Sequence, residues 1–260
     1  MKLFDSHCHL DDSVYDKDLE TVIGRAREGN VAAMMIAGVN CPRAEKPVNL
    51  ARRHPALYAA VGIHPHDVKN CCDADLKMLA DLAADSKVRA WGEIGLDFNR
   101  MHSSVKDQEY WLLRQLEVAD ELNLPVIFHE RDTNGRLLEI LDAHQNSDRT
   151  GVIHCFSGTR SEMERYVSLG FHIGITGILT ILKRGEDLRR LVPFIPEDRI
   201  LIETDAPYLT PVPQKNKTRR NEPAFVKSVL LKLADVREED PEILAERVFQ
   251  NTCRLYRLSL

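Results

Sequence analysis

Eight short apolar, β-branched runs punctuate this chain, at Lys2–Ser6, Val31–Ala37, Leu57–Val61, Val88–Glu93, Pro125–His129, Gly151–His154, Phe171–Ile175 and Arg199–Thr204. Each has strand length, and each is followed by a stretch of helical periodicity. In Val105–Leu122, for example, Leu112, Leu116 and Ala119 share one helix face. Thr159–Leu169 reads as another helix, with Thr159 and Glu162 as a capping box and Gly170 as the stop. Eight strands separated by helical crossovers, at about one βα unit per 30 residues, predict a parallel sheet. A (β/α)8 barrel of TIM type suits eight such units, with a doubly wound open sheet as the alternative. Pro223–Leu233 reads as the last barrel helix and Pro241–Leu258 as a terminal helix outside it. The whole of 1–260 is expected to form a single domain, because α/β barrels of this length need no second one.

Composition narrows the function class. No apolar run approaches the roughly 18 residues of a membrane span. Met1–Asp5 enters a strand without the apolar core of a secretory signal, so a cytoplasmic protein is expected. The six cysteines show no Cys-x-x-Cys spacing and are expected to be reduced thiols. A net charge of −5 argues against a protein that coats nucleic acid nonspecifically. A barrel of this size needs no partner for stability, which makes a monomer the expectation.

The ends of the strands carry the chemistry. His7 and His9 flank Cys8 in a strand, where alternate residues face the same side, so both imidazoles can grip one ion while Cys8 points away. Glu93, His129, His154 and Asp205 each close a later run. In a barrel those positions converge on one mouth. Four imidazoles and two carboxylates there suit borderline or hard divalent ions, and a carboxylate can bridge two of them about 3.5–4 Å apart. Any one of these residues has an ordinary structural explanation, but six gathered without a cation would repel one another or lack partners.

The strings Asp5-Ser6-His7-Cys8-His9-Leu10, Gly62-Ile63-His64-Pro65-His66, Gly92-Glu93-Ile94-Gly95-Leu96-Asp97-Phe98, Ile127-Phe128-His129-Glu130-Arg131-Asp132, His154-Cys155-Phe156-Ser157-Gly158 and Glu203-Thr204-Asp205-Ala206-Pro207-Tyr208-Leu209 resemble, in order, those of the TatD family of metal-dependent deoxyribonucleases. Arg219-Arg220-Asn221-Glu222-Pro223 adds to the resemblance, especially to the bacterial branch. The resemblance implies an amidohydrolase-like barrel holding two divalent ions, of magnesium, manganese or zinc. It implies that His7, His9 and Asp205 bind one ion, that His129 and His154 hold the second, and that Glu93 bridges. It further implies a 3′-to-5′ exonuclease on single-stranded DNA, with RNA as an open second substrate.

Mechanistic roles follow from charge. Asp205 is assigned as ligand and general base for the attacking water, with Glu93 beside it as a catalytic carboxylate. His64, at a third strand end, is a candidate for contacting the phosphate or protonating the leaving oxygen; a loop-anchoring hydrogen bond is its other reading. Arg131, directly after His129, is a candidate phosphate fork or the partner of a nearby carboxylate. Asp97 is a candidate acceptor that orients a ligand histidine. Between Ala206 and Asn221 lie Lys215, Lys217, Arg219 and Arg220 with no acid, a cationic rail for a polynucleotide, and Tyr208 or Phe156 could stack an unpaired base. His54, His102, His144 and His172 are assigned no chemistry.

Two other functions fit the same ligands: hydrolysis of amide or ester bonds in a small molecule or a D-aminoacyl-tRNA, and noncatalytic binding. Many related barrel amidohydrolases place a carboxylated lysine where this chain has Glu93, which favours the nuclease.

Overall fold

A computed structural model describes residues 1–260. Its eight strands are β1 (Leu3–Cys8), β2 (Val31–Ile36), β3 (Leu57–Val61), β4 (Val88–Asp97), β5 (Val126–Arg131), β6 (Gly151–Ile153), β7 (His172–Ile175) and β8 (Ile200–Ile202). They follow one another in sequence order within one eight-stranded sheet. The intervening helices are α1 (Leu19–Glu28), α2 (Glu45–Arg53), α3 (Asp73–Ala83), α4 (Val105–Glu121), α5 (Arg136–Ala143), α6 (Arg160–Ser168) and α7 (Glu186–Leu191), and α8 (Val226–Arg237) and α9 (Pro241–Leu255) follow β8. A parallel bridge between Cys8 and Ala206 ties the end of β1 to the segment that leaves β8. This is the (β/α)8 barrel, and the sequential strand order rules out a doubly wound sheet. No helix is long and apolar enough to cross a membrane.

The chain gathers into two compact units, Met1–Ile36 with Cys155–Arg160 and Ile173–Leu260, and Ala37–His154 with Ser161–His172. In the first, α9 covers β1: Phe4 packs against Phe249 and Tyr256 with ring centroids 6.3 and 6.1 Å apart. Polar groups buried under α9 are matched one by one. The Tyr256 hydroxyl donates to Ser6 O at 3.0 Å, and the Asn251 amide donates to Ile200 O at 3.0 Å and Glu197 O at 2.8 Å.

In the second unit α4 buries more than the leucine stripe. Gln108, Trp111 and Gln115 lie on the same covered face. A buried glutamine is costly unless both ends of its amide are matched. Gln115 accepts from Ile63 N–H at 2.8 Å and donates to Ile63 O at 3.0 Å. Gln108 does the same for Asp97, at 2.8 and 3.0 Å, and adds a bond to Ser103 O. The two side chains thus complete the backbone pairing where β3 and β4 run out.

Element boundaries depart from the sequence reading in one consequential place. β4 does not stop at Glu93 but continues to Asp97, with a register shift against β5 between Gly92 and Ile94. Gly95 permits the close approach, since a Cβ there would lie 1.9 Å from His129 O. Glu93 therefore sits within a strand. Smaller shifts occur at β8, which is shorter than expected, and at α8, which begins at Val226 after a 3-10 turn over Pro223–Phe225.

The C-terminal end of α4 is held to the start of β6 by a two-pronged ion pair. Arg149 donates to both oxygens of Asp120, at 2.9 and 2.7 Å, and to His144 O at 2.9 Å. Burial alone would raise the Asp120 carboxyl, but hydrogen bonds from Arg149 and Asn146 hold it below its ordinary value. A depressed folded value means that this pair's contribution is complete above the unfolded aspartate pKa of about 3.9 and is lost as pH falls through the folded value. Asp120→Asn is expected to cost about 1.5–3 kcal/mol at pH 7 and to flatten the acid limb of the stability profile, read as denaturant midpoint against pH. An unchanged acid limb would remove this pair from the account.

Candidate metal centres

One cluster is built on β1 and the segment after β8. Backbone bonds set it up: Asp205 N–H donates to His7 O at 3.0 Å and His9 N–H to Ala206 O at 2.7 Å. Asp5, fully buried, accepts Thr204 N–H at 2.8 Å as well as the Thr204 hydroxyl, and so anchors the residue before Asp205. Burial pushes the Asp5 carboxyl up to about 8 against the pull of those Thr204 bonds. Asp205 itself adopts φ +56°, a left-handed conformation that aspartate tolerates better than most residues. The result brings three donor atoms together. His7 Nε2 and His9 Nε2 are 3.3 Å apart, and Asp205 Oδ1 lies 3.7 Å from the first and 3.3 Å from the second. Ligands bound at about 2.1 Å in tetrahedral array stand about 3.4 Å from one another, so this donor set fits a divalent ion.

The second cluster is built on β3, β4, β5 and β6. Glu93 is buried, its N–H tied to Gly38 O at 2.7 Å. Around its Oε1 stand His129 Nδ1 at 2.7 Å, His64 Nε2 at 3.6 Å and His154 Nε2 at 3.8 Å. The other nitrogen of His129, Nε2, lies 3.2 Å from Asp97 Oδ2. Burial alone would lower the His129 pKa, but the two carboxylates raise it to about 9. Asp97 would likewise rise on burial, yet His129, His66 and the Arg100 N–H hold it well below the carboxylate range. A second ring proton answers the two carboxylates, and a divalent ion held by His129 and Glu93 would take that proton's place.

His64, His129 and Glu93 lie close enough to form a ligand triad. The hydrogen bonding of His64 argues for a different part. Its Nδ1 accepts the His66 N–H at 3.1 Å, so the neutral ring carries its proton on Nε2, the nitrogen that faces Glu93. A protonated nitrogen has no lone pair for a metal. His64 is therefore set up as a hydrogen-bond donor.

Sequence reasoning missed His66. Its Nε2 lies 2.7 Å from Asp97 Oδ2, and its ring packs 4.2 Å from His64 and 4.8 Å from the exposed His102. The signal was in the His64-Pro65-His66 spacing, which puts two imidazoles on one short loop. The cysteines beside ligands behave as expected of packing residues: Cys8 is buried with its thiol on Met35 O, and Cys155 N–H donates to the buried Glu203 at 2.6 Å.

The candidate substrate residues separate into two groups. Arg131 is exposed at the end of β5, and Arg219, Lys215 and Lys217 are exposed on the loop after β8. Arg220 is engaged elsewhere, donating to both oxygens of Asp18 at 2.8 and 2.6 Å and to Glu222 at 3.1 Å. The Glu222 carboxylate is shared with Arg25. The structure thus uses Arg220 to brace the loop, and the cationic rail reduces to its three exposed members.

Asp97→Asn separates the two jobs of that carboxylate. Oδ1 takes the Asn99 and Arg100 N–H groups at 2.9 and 2.8 Å, which the amide oxygen of asparagine retains, whereas an NH2 in place of Oδ2 cannot accept from His129 or His66. Metal affinity measured by calorimetric titration is expected to fall about 10- to 100-fold with little change in melting temperature. Undiminished affinity would show that His129 needs no such acceptor.

Comparison with known proteins accords with this geometry. The family model described as TatD related DNase matches residues 4–257. A curated relative from Salmonella typhimurium, named 3′-5′ ssDNA/RNA exonuclease TatD, is 40% identical over 98% of both chains. Its namesake from Escherichia coli K12 is 39% identical over 98% of both. The crystal structure of the TatD homologue YJJV from Escherichia coli K12 superposes with a TM-score of 0.91 at 31% identity, over 99% of this chain and 98% of that one. A TatD family hydrolase from Entamoeba histolytica, 23% identical, shares the fold with a TM-score of 0.88 over 100% of this chain and 99% of that one. On the strength of the full-length match, this chain belongs to the TatD-related DNase family.

Proposed function

We propose that the protein is a divalent-metal-dependent exonuclease that removes nucleotides from single-stranded DNA and RNA in the 3′-to-5′ direction. The observation that carries this reading is the near end-to-end identity of about 40% with curated proteins of that activity, in a chain that keeps both histidine and carboxylate clusters. In this reading His7, His9 and Asp205 would hold one ion, and Glu93, His129 and His154 would hold a second. Ions bound there would neutralise the nonbridging phosphate oxygens and bring the pKa of a water toward neutrality.

The protein's own groups have distinct tasks. Asp205, at the rim of its cluster with 13% of the side chain exposed, accepts the proton of the attacking water through its carboxylate. The protonated Nε2 assigned to His64 donates to a phosphate or leaving oxygen. Asp97 keeps the His129 ring in one orientation. Arg131, Arg219, Lys215 and Lys217 supply positive charge for the sugar–phosphate backbone in a chain whose net charge is −5. Such a division supports a polynucleotide over a small-molecule amide or ester, since only a polynucleotide brings a polyanionic tail to those cations.

The test is digestion of 5′- and 3′-labelled oligonucleotides, single-stranded and duplex, with Mg²⁺, Mn²⁺ or Zn²⁺ and with chelator, beside a panel of esters and amides. Metal-dependent laddering from the 3′ end is expected, and turnover of an amide or ester with no oligonucleotide cleavage under any metal would overturn the assignment. Glu93→Ala is expected to lose at least one bound metal equivalent and about 10³-fold in rate, because transition-state charge stabilisation at such centres amounts to several kcal/mol. Full activity in that variant would remove Glu93 from the ligand set.

A further inference from the structure

The loop after β8 presents one aromatic ring to solvent beside a metal cluster. Tyr208 is 53% exposed, whereas Phe156, the other ring the sequence offered for stacking, is 2% exposed and belongs to the core. Phe194, a second exposed ring of the same unit, already lies under the Arg160 guanidinium at 3.5 Å. A single exposed ring is ordinary on any protein surface. Tyr208 differs in how firmly its backbone is held and in what adjoins it.

Its N–H donates to Asp205 O at 2.8 Å, so the ring leaves the same turn that carries a candidate metal ligand. Its carbonyl accepts from the Asn221 amide at 2.6 Å, and that amide also holds Thr204 O at 2.9 Å. Asn221 is fixed in turn, its own carbonyl accepting the buried Tyr15 hydroxyl at 2.5 Å. The Tyr208 ring stands edge-to-face with His9 at 5.9 Å, and its hydroxyl reaches toward Asp12 at 3.4 Å. On the same loop Lys215, Lys217 and Arg219 are exposed. A ring whose main chain is tied down loses little entropy when a flat ligand stacks on it.

We infer that Tyr208 is the platform on which the 3′-terminal base stacks, and that it supplies the preference for unpaired ends. This rests on the nuclease reading. The terminal base of a duplex is held by its pairing partner and by the stack beneath it, whereas an unpaired terminal base is free to turn one face onto an aromatic ring. Stacking recognises every base, because each has a π-face, so the platform tolerates any sequence. The neighbouring cations take the backbone while the ring takes the base.

The experiment compares Tyr208→Ala, Tyr208→Phe and Tyr208→Trp. Binding is followed through the fluorescence of a 3′-terminal 2-aminopurine in a phosphorothioate oligonucleotide that resists cleavage. Quenching is expected with the native enzyme, Tyr208→Phe and Tyr208→Trp, and is expected to vanish in Tyr208→Ala. In cleavage assays Tyr208→Ala should raise KM for single strands roughly 10- to 100-fold with a much smaller change in kcat, and should narrow the preference for single strands over blunt duplexes. On an oligonucleotide with an abasic 3′-terminal nucleotide the native enzyme and Tyr208→Ala should have equal KM. Retention of native KM and quenching by Tyr208→Ala overturns the proposal. So does an equal loss on normal and abasic ends, which would mean that the ring only props His9. Quenching by the native enzyme without cleavage under any metal would instead defeat the nuclease reading while leaving the stacking platform standing.

Discussion

Buried carboxylates within the strands and at their ends are the constraint on which the rest depends. Asp5, Glu93, Asp97 and Glu203 are each at most 2% exposed, and a carboxylate so placed must find hydrogen bonds or positive charge. Each takes a different solution. Asp5 uses the N–H and hydroxyl of Thr204, Glu203 uses the Cys155 N–H and the Ser6 hydroxyl, and Asp97 uses two backbone N–H groups together with His66 and His129. Glu93 is different, since what surrounds its Oε1 is a set of imidazoles. Three of these acids tie down loops and imidazoles, and the fourth belongs to a candidate ligand set.

Most of this was legible in the chain because two periodicities announce it. The alternation of short β-branched runs with helical stretches gave every strand of the barrel, Leu57–Val61 to the residue, and the His-x-His spacing brought the imidazoles of His7 and His9 together where β1 ends. What escaped is what periodicity does not encode. That β4 runs on to Asp97 depends on glycines accommodating the backbone of β5 at the register shift, a tertiary fact with no local pattern. The proton on His64 Nε2 follows from one backbone N–H two residues away, visible only once the His64-Pro65-His66 loop has a shape. Arg219 and Arg220 are adjacent and chemically identical, yet the fold exposes one and sets the other between Asp18 and Glu222.

That last pair also shows how an acidic protein can handle a polyanion. The loop's charge is not a patch of uniform function: Arg220 fixes the chain against Val14 and Asp18, just before α1, while Lys215, Lys217 and Arg219 on the same loop are exposed. Steering by a few local charges is strongly dependent on ionic strength, since the Debye length is about 8 Å at physiological salt.

The two glutamines of α4 carry a consequence for the dimensions of the second cluster. Gln115 binds both backbone groups of Ile63, the residue before His64, and Gln108 binds both backbone groups of Asp97. Seven residues of α-helix separate them, two turns or about 10.5 Å. The helix thus acts as a ruler laid along the outside of the sheet, with graduations read off by amide groups rather than by apolar side chains. A loop insertion elsewhere leaves that measure intact, but one residue added between the two glutamines would turn one of them by about 100° away from its strand end, and the spacing of His64 from Asp97 would lose its reference.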